Sequence, residues 1–509
     1  MGKLMRTNVL EDLDEIVKKV PDKIAFADDH TSYSFKDIYE HSGSIATKLA
    51  EDGFYKEPVL IFMKKSPEEI ASFFGVIRSG CYYVPIDEEM PVTRISLIIE
   101  NCKARAMIID ESTKEAAGRL AYEGRIYSYE EMLGTSVNLK TLTSIREKAI
   151  DTDPIYIVFT SGSTGVPKGV CACHRSVLDY IEQLSDVLGF NEDTVFGNQS
   201  PLYFDACLKE VYPTIRYGAT TYLIPHELFT FPKKIVEYLN DKKINTICWV
   251  VSALTIISSF KTFDSIKPEY LHTIAFGSEV FPIKQYRLWR AALPDATFTN
   301  LYGPTEGTGM SCYYRVAKDH VFEDHDVIPI GRPFKNTEVM LIKPDNTLAR
   351  DGEEGEITLR GTCVTLGYYN NPEKTKEAFV QNPLNTAYPE IVYKTGDIGK
   401  RDADGNLIFV SRKDYQIKHM GHRIELGEIE SNVNLLEEIK MSGCIYDDQK
   451  GKIVLYYVGD ISAGEVTGRL KEMLPRYMLP NKIRQLNEMP FTANGKIDRK
   501  QLKNMYLNA

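Results

Sequence analysis

From Ser32 to Asp87 the chain switches repeatedly between two hydrophobic periods. The stretch "SYSFKDIYEHSGSIATKLAEDG" carries apolar residues at helical spacing, opens with Ser34 three residues ahead of Asp37, and stops at Gly53. "PVLIFM" is a short continuous apolar run of the kind buried on both faces of a sheet. "SPEEIASFFGVIRSG" returns to helix with Pro67 in the first turn, and "CYYVPID" returns to strand. Alternation of this kind constrains the fold strongly, because parallel neighbours need a crossover and the crossing helix covers a face of the sheet. The expected class is α/β: a large N-terminal domain of mostly parallel sheets flanked by helices. At 509 residues the chain also exceeds what one core supports. "GNLIFVSRKD" reads as a hairpin closing a β-rich subdomain, and the best boundary lies around Ser411 to Asp414. Beyond it "RIELGEIESNVNLLEEI", "GKIVLYYVGD" and "AGEVTGRLKEMLP" give helix, strand and helix, enough for a small α+β C-terminal domain. The predicted division is 1–412 and 413–509.

The formal charge of -10 argues against nucleic acid as a partner, which would want a basic face. No run of 18 apolar residues predicts a membrane span, and "MGKLMRTNVLEDLDEIVKKV" lacks the apolar core of a secretion signal. Nine cysteines scattered from Cys81 to Cys444 suggest reduced packing thiols and a cytoplasmic setting. The one tight group, Cys171, Cys173 and His174, lacks a fourth ligand at zinc spacing.

The segment most specific to chemistry is "PIYIVFTSGSTGVPKGVCACH", residues 154–174. An apolar strand runs into a loop holding Gly162, Gly165 and Gly169 among the hydroxyls of Thr160, Ser161, Ser163 and Thr164, with Lys168 after Pro167. A Walker loop needs Lys followed by Ser or Thr after its last glycine, and this one has Gly169 after the lysine. Neither a dinucleotide nor a kinase glycine pattern fits. Backbone N–H groups freed by glycine, with the hydroxyls, suit phosphate oxygens. A helix is expected to start near "HRSVLDYIEQL".

"FTSGSTGVPKGV" resembles the signature of the adenylate-forming superfamily, which includes nonribosomal-peptide adenylation domains, acyl-CoA synthetases and luciferases. The resemblance continues in order through "NLYGPTEGT", "GEITLRGTCVTLGY", "YKTGD", "SRKDYQIKHMGHRIELGEIE" and "PFTANGKIDR". It implies attack of a carboxylate on the ATP α-phosphate, giving an acyl-adenylate and pyrophosphate, with positioning and cationic stabilisation as the main catalytic needs. It further implies Mg²⁺ on Glu306, phosphate contacts from Thr160 and Thr305, ribose hydroxyls on Asp397, and adenine against Tyr302. Arg412 would reach ribose or phosphate, and the remaining nucleotide positions would be Ser161, Gly162, Ser163, Thr164, Gly165, Lys168, Gly277, Asn300 and Gly303. Lys496 would bridge carboxylate and α-phosphate as a charged ammonium. In the family the small domain is mobile. It rotates after adenylation about a hinge, here Asp414, and brings the loop "KHMGHR" to the active site to admit a pantetheine thiol. One departure is Ser411-Arg412 where the family commonly has Gly-Arg.

In "SPLYFDACLKEVYP", Asp205 occupies the position at which amino-acid-activating members pair with the substrate ammonium. A carboxylate starting a helix is the other reading of Asp205. Local alignment to the family gives Asp205, Ala206, Lys209, Cys248, Ile274, Phe276, Leu301, Gly309, Met310 and Lys496 as the pocket, with Phe276 and Leu301 suggesting a short one. Lys209 is placed either to meet an acidic side chain or to pair with Asp205 across one helical turn. The stand-alone length resembles D-alanine–carrier protein ligases, but those have a cysteine where this chain has Gly277. Only ten residues follow Arg499 and no serine sits in a carrier-type context, so the expected acceptor is a separate carrier protein with a phosphopantetheine arm, or a free thiol or amine. The function expected is ATP-dependent amino-acid activation, with acyl- or aryl-CoA synthesis or D-alanine loading as alternatives.

Overall fold

A computed structural model describes residues 6–162, 165–491 and 497–507. The anticipated alternation is present. Ser34 caps the helix Phe35–Glu51 with a reciprocal Asp37 bond, and Gly53 beyond its end has φ 83°. The apolar runs become the strands Pro58–Phe62 and Tyr82–Pro85, wholly buried, with the helix Pro67–Arg78 between them. Together with Ala106–Ile109 and Pro154–Thr160 these strands pair in parallel within a six-stranded sheet.

A nine-stranded sheet carries a second parallel set: Val195–Asn198, Thr220–Leu223, Thr246–Val250, Thr273–Gly277 and Thr297–Tyr302. The helices His174–Leu188 and Leu208–Tyr217 pack into one apolar cluster with Cys248, Ala275 and Leu301. The helix Ile283–Ala292 lies in another with Trp249, Ile274, Phe276 and Phe298. A five-stranded antiparallel sheet, including Gly355–Gly361, Ile391–Arg401 and Leu407–Arg412, forms the β-rich part. The last portion holds the hairpin Gln416–His419/His422–Glu425 and a three-stranded sheet with its own apolar cluster around Ile429, Leu455 and Leu470. Among the described residues no helix is long and apolar enough to cross a membrane.

The helix expected near "HRSVLDYIEQL" starts at His174, and between it and the strand Pro154–Thr160 lies an unanticipated antiparallel strand, Lys168–Cys173. The Gly/Ser/Thr loop is therefore a hairpin tip, and its N–H groups have no helix dipole behind them. Val170 is the one β-branched residue of "KGVCAC", so pairing with Pro154–Thr160 rather than local propensity decides the strand, and the run is too short for its periodicity to separate strand from helix.

Candidate active site

The strands Pro154–Thr160, Thr246–Val250, Thr273–Gly277 and Thr297–Tyr302 deliver their carboxyl ends to one cleft, where open parallel sheets collect ligands. Thr160, Ser161, Asp205, Ala206, Lys209, Gly303, Thr305, Gly309, Met310, Asp397 and Arg412 all line it. Residues scattered over more than 250 positions of sequence thus meet at one place. Lys496, Ser163 and Thr164 lie outside the described residues.

Glu306 is fully buried. Its two oxygens accept from the Tyr368 hydroxyl at 2.6 Å and from the Arg423 guanidinium at 2.5 Å. Burial alone would raise its pKa, but Arg423 and Lys168 outweigh this and hold the carboxyl at about 2. Thr160 Oγ1 is buried beside the same cleft without a hydrogen-bond partner among the described residues. A carboxylate held ionised by neighbouring cations and an orphaned hydroxyl are hard oxygen donors of the kind Mg²⁺ takes, and Glu306 would be open to the ion once Arg423 withdraws.

Asp397, 3% exposed, accepts from Tyr302 at 2.5 Å and from Arg412 at 2.6 Å, and Arg412 also makes a two-bond pair with Asp414 at 2.8 and 2.7 Å. Tyr302 is not an open stacking platform here, because it is 5% exposed and the Lys418 ammonium sits 5.5 Å from its ring centroid. Asn300 is also turned inward and donates to the Pro329 carbonyl at 2.8 Å. Gly303 leaves no room for a side chain, since a Cβ would lie 2.4 Å from the Gly309 carbonyl oxygen.

The C-terminal portion sits over the phosphate-type loop. Ser161 Oγ donates to the Arg423 carbonyl at 2.8 Å and accepts from Glu425 N at 3.2 Å, and Gly162 N donates to a Glu428 oxygen at 3.1 Å. Glu428 is in turn paired with buried Arg94. The hairpin tip, with Met420 and Gly421 at φ 51° and 81°, is held by Glu279, which accepts Gly421 N at 3.0 Å. Lys168 lies 4.0 Å from Glu425 and 5.1 Å from the Tyr368 ring centroid. The roles of Glu279, Glu428 and Arg94 carried no local sequence signal, because each depends on partners far away in the chain.

Asp205 opens a short 3₁₀ turn before the helix Leu208–Tyr217 and faces the cleft. Burial raises its pKa, while Lys209 and the Thr305 hydroxyl oppose the shift. The pocket reading needs correction on the strand Thr273–Gly277. Side chains alternate, and Ile274 and Phe276 pack with Trp289 on the far side of the sheet. Ala275 is on the side of Tyr180, Cys248 and Leu301. The alignment was out of register by one residue, which puts the small residues Ala275 and Gly277 on the cleft side and removes Phe276 as a bulky wall. Leu301 and Cys248 remain on that side but are 2% and 1% exposed and do not line the cleft itself. A Cβ at Gly277 would meet the Leu301 carbonyl oxygen at 2.4 Å, so a cysteine there would require a backbone shift.

Bacitracin synthase 1 of Bacillus licheniformis is 30% identical over 495 residues, 96% of this chain but only 9% of that protein. D-alanine--D-alanyl carrier protein ligase of Bacillus cereus (strain B4264) is 29% identical over 510 residues, covering 97% of this chain and 98% of that one. The Vibrio cholerae adenylation domain AlmE, solved with glycyl-adenosine-5'-phosphate, superposes with a TM-score of 0.86 at 19% identity, covering 100% of this chain and 99% of that one. Residues 13–369 match the sequence family described as AMP-binding enzyme. The chain belongs to the AMP-binding enzyme family.

Proposed function

We propose that this protein activates the carboxylate of an amino acid with ATP and passes the acyl group to the phosphopantetheine thiol of a separate carrier protein. In the first step a carboxylate oxygen bonds to the α-phosphorus as the bond to pyrophosphate breaks. In the second, the thiolate sulfur takes the acyl carbon and AMP leaves. The observation that carries the reading is Asp205, a carboxylate drawn into the cleft that also holds Thr160 and Asp397, with Glu306 bound to the cleft-lining Arg423. A buried carboxylate favours a ligand that brings its own cation, as an α-ammonium does. Mg²⁺ would be held by Glu306 and the Thr160 hydroxyl and would neutralise phosphate charge. Asp397, fixed by Tyr302 and Arg412, would orient the ribose. The residues from 413 onward act as a second domain turning at Asp414. The pose seen here, with the hairpin tip at the cleft and Arg423 on Glu306, corresponds to the transfer half-reaction. The setting proposed is the cytoplasm.

The test is amino-acid-dependent ATP–pyrophosphate exchange, followed by loading of a phosphopantetheinylated carrier protein. Exchange that depends on an amino acid and is lost in Asp205→Ala supports the proposal. Exchange only with acids lacking an ammonium would instead mark an acyl- or aryl-CoA synthetase, with Asp205 serving as a helix-start carboxylate.

A further inference from the structure

Among the described groups that line the cleft, Asp205, Asp397 and His422 are the ones with a lone pair to take up a proton. Asp397 is engaged by Tyr302 and Arg412, and Asp205 is the carboxylate proposed to hold an ammonium. His422 is engaged by nothing polar: among the described residues it forms no hydrogen bond and no ion pair. Packing fixes its ring. It lies face to face with Tyr477, centroids 3.8 Å apart and planes 12° apart, and meets Phe204 edge-on at 5.0 Å. Tyr477 belongs to the C-terminal portion and Phe204 to the core, so the clamp spans the boundary between them. Nδ1 is sealed in without a partner, which leaves the edge carrying Nε2 to meet the cleft. The titratable groups set against the ring are Tyr477, His419 on the same hairpin, and His226, with Asp205 next to Phe204 in sequence. Burial pushes the Tyr477 hydroxyl up to about 12. Burial and the two histidines hold His422 down at about 3, so its ring is neutral and keeps a free lone pair.

Transfer to a thiol needs such an acceptor. A thiol with a pKa of about 8.5 is only a few per cent thiolate at pH 7. If Asp205 holds the α-ammonium, the acyl carbon lies two bonds from that nitrogen, about 2.5 Å away. A thiol that comes in past the hairpin tip to reach this carbon therefore passes the ring lying against Phe204. So weak a base does not strip a resting thiol. It does not have to, because sulfur loses its hold on the proton as the S–C bond forms, and the proton passes to Nε2 in the same step. The S–C bond forms, the bond from the acyl carbon to the phosphate oxygen breaks, and AMP leaves with the bonding pair. The imidazolium then gives its proton to water.

We propose that His422 is a catalytic residue of the transfer step, the acceptor of the thiol proton, brought to the acyl-adenylate by the docked hairpin. The proposal rests on the amino-acid-activating and carrier-loading reading above. The test is single-turnover transfer of a preformed aminoacyl-adenylate to a saturating phosphopantetheinylated carrier protein with its thiol free, from pH 6 to pH 8.5. It compares the full wild-type chain with His422→Phe, which keeps an aromatic ring between Tyr477 and Phe204. The wild-type rate should change less than about threefold between pH 6 and pH 8, since the acceptor is neutral throughout. The variant should be about a hundredfold slower at pH 6.5 and gain about tenfold per pH unit, because it must wait for preformed thiolate. Its pyrophosphate exchange should stay within about twofold of the wild type. A wild-type rate that itself climbs tenfold per unit, or a variant with the wild-type profile, overturns this inference and leaves the proposed function standing. Exchange with no amino acid overturns both. The wild-type profile decides the matter by itself if the variant does not fold.

Discussion

The Arg423–Glu306 pair gives the sharpest prediction. Glu306 is fully buried and the Arg423 side chain is 15% exposed. Replacing Arg423 by Met removes the cation from a buried carboxylate while retaining much of the side-chain volume. Breaking one partner of a buried pair costs about 3–5 kcal/mol, and the low end applies because the cleft admits water once the hairpin lifts. About 3 kcal/mol is roughly a hundredfold in the population of the docked pose. On the proposed assignment of this pose to the transfer step, the adenylation half-reaction would not use it, so pyrophosphate exchange should fall less than threefold. Single-turnover transfer of a preformed acyl-adenylate to a phosphopantetheinylated carrier protein with its thiol free should slow by about a hundredfold. Lys at the same position should restore part of the rate, since it returns the charge but not the planar fork. Equal loss in both half-reactions would refute the reasoning, as would normal transfer, because either outcome would mean that the pair does not set the position of the hairpin.

Three further outcomes are expected. Glu210→Gln should raise the melting temperature relative to the wild type, increasingly from pH 5 to pH 8. A carboxyl whose folded pKa is lifted from 4.5 to about 8 binds more protons folded than unfolded across that window, so its destabilising effect grows with pH until it levels off near 8. Gly303→Ala should lose about 1–3 kcal/mol in chemical denaturation and most nucleotide binding, since its Cβ would fall 2.4–2.7 Å from three backbone atoms. Trp289→Ala should lose about 3–5 kcal/mol with little effect on substrate preference, because this fully buried ring lies on the far side of the sheet from the cleft and donates to the Leu254 carbonyl at 2.9 Å.

What was legible in the sequence follows the range of the forces involved. Ser34 and Gly53 mark helix ends through bonds spanning a few residues, and they stand where the sequence put them. Thr160, Glu306 and Asp397 were found through motifs; the fold brings Thr160 and Asp397 into one cleft and ties Glu306 to it through Arg423. The helix expected near "HRSVLDYIEQL" starts at His174, whereas the strand Lys168–Cys173 before it was not legible, because a six-residue run has no period long enough to read and pairing with Pro154–Thr160 decides it. Ile274 and Phe276 were misplaced for a related reason. On a strand an alignment error of one residue turns every side chain to the opposite face. Glu428 and Arg94 are 334 positions apart, and only the folded chain brings them together.

The Arg412 guanidinium joins two parts of the molecule that are otherwise described separately. One edge binds Asp397, where the ribose is proposed to sit, and the other binds Asp414, the proposed pivot. The connection between the domains is therefore not a slack tether. Ribose hydroxyls that draw Asp397 toward themselves also change how firmly Arg412 can restrain the backbone at 414, so the stiffness of the pivot becomes a function of nucleotide occupancy. Such a joint would be tight or loose according to what lies in the cleft, and the timing of rotation would be written into a single planar side chain.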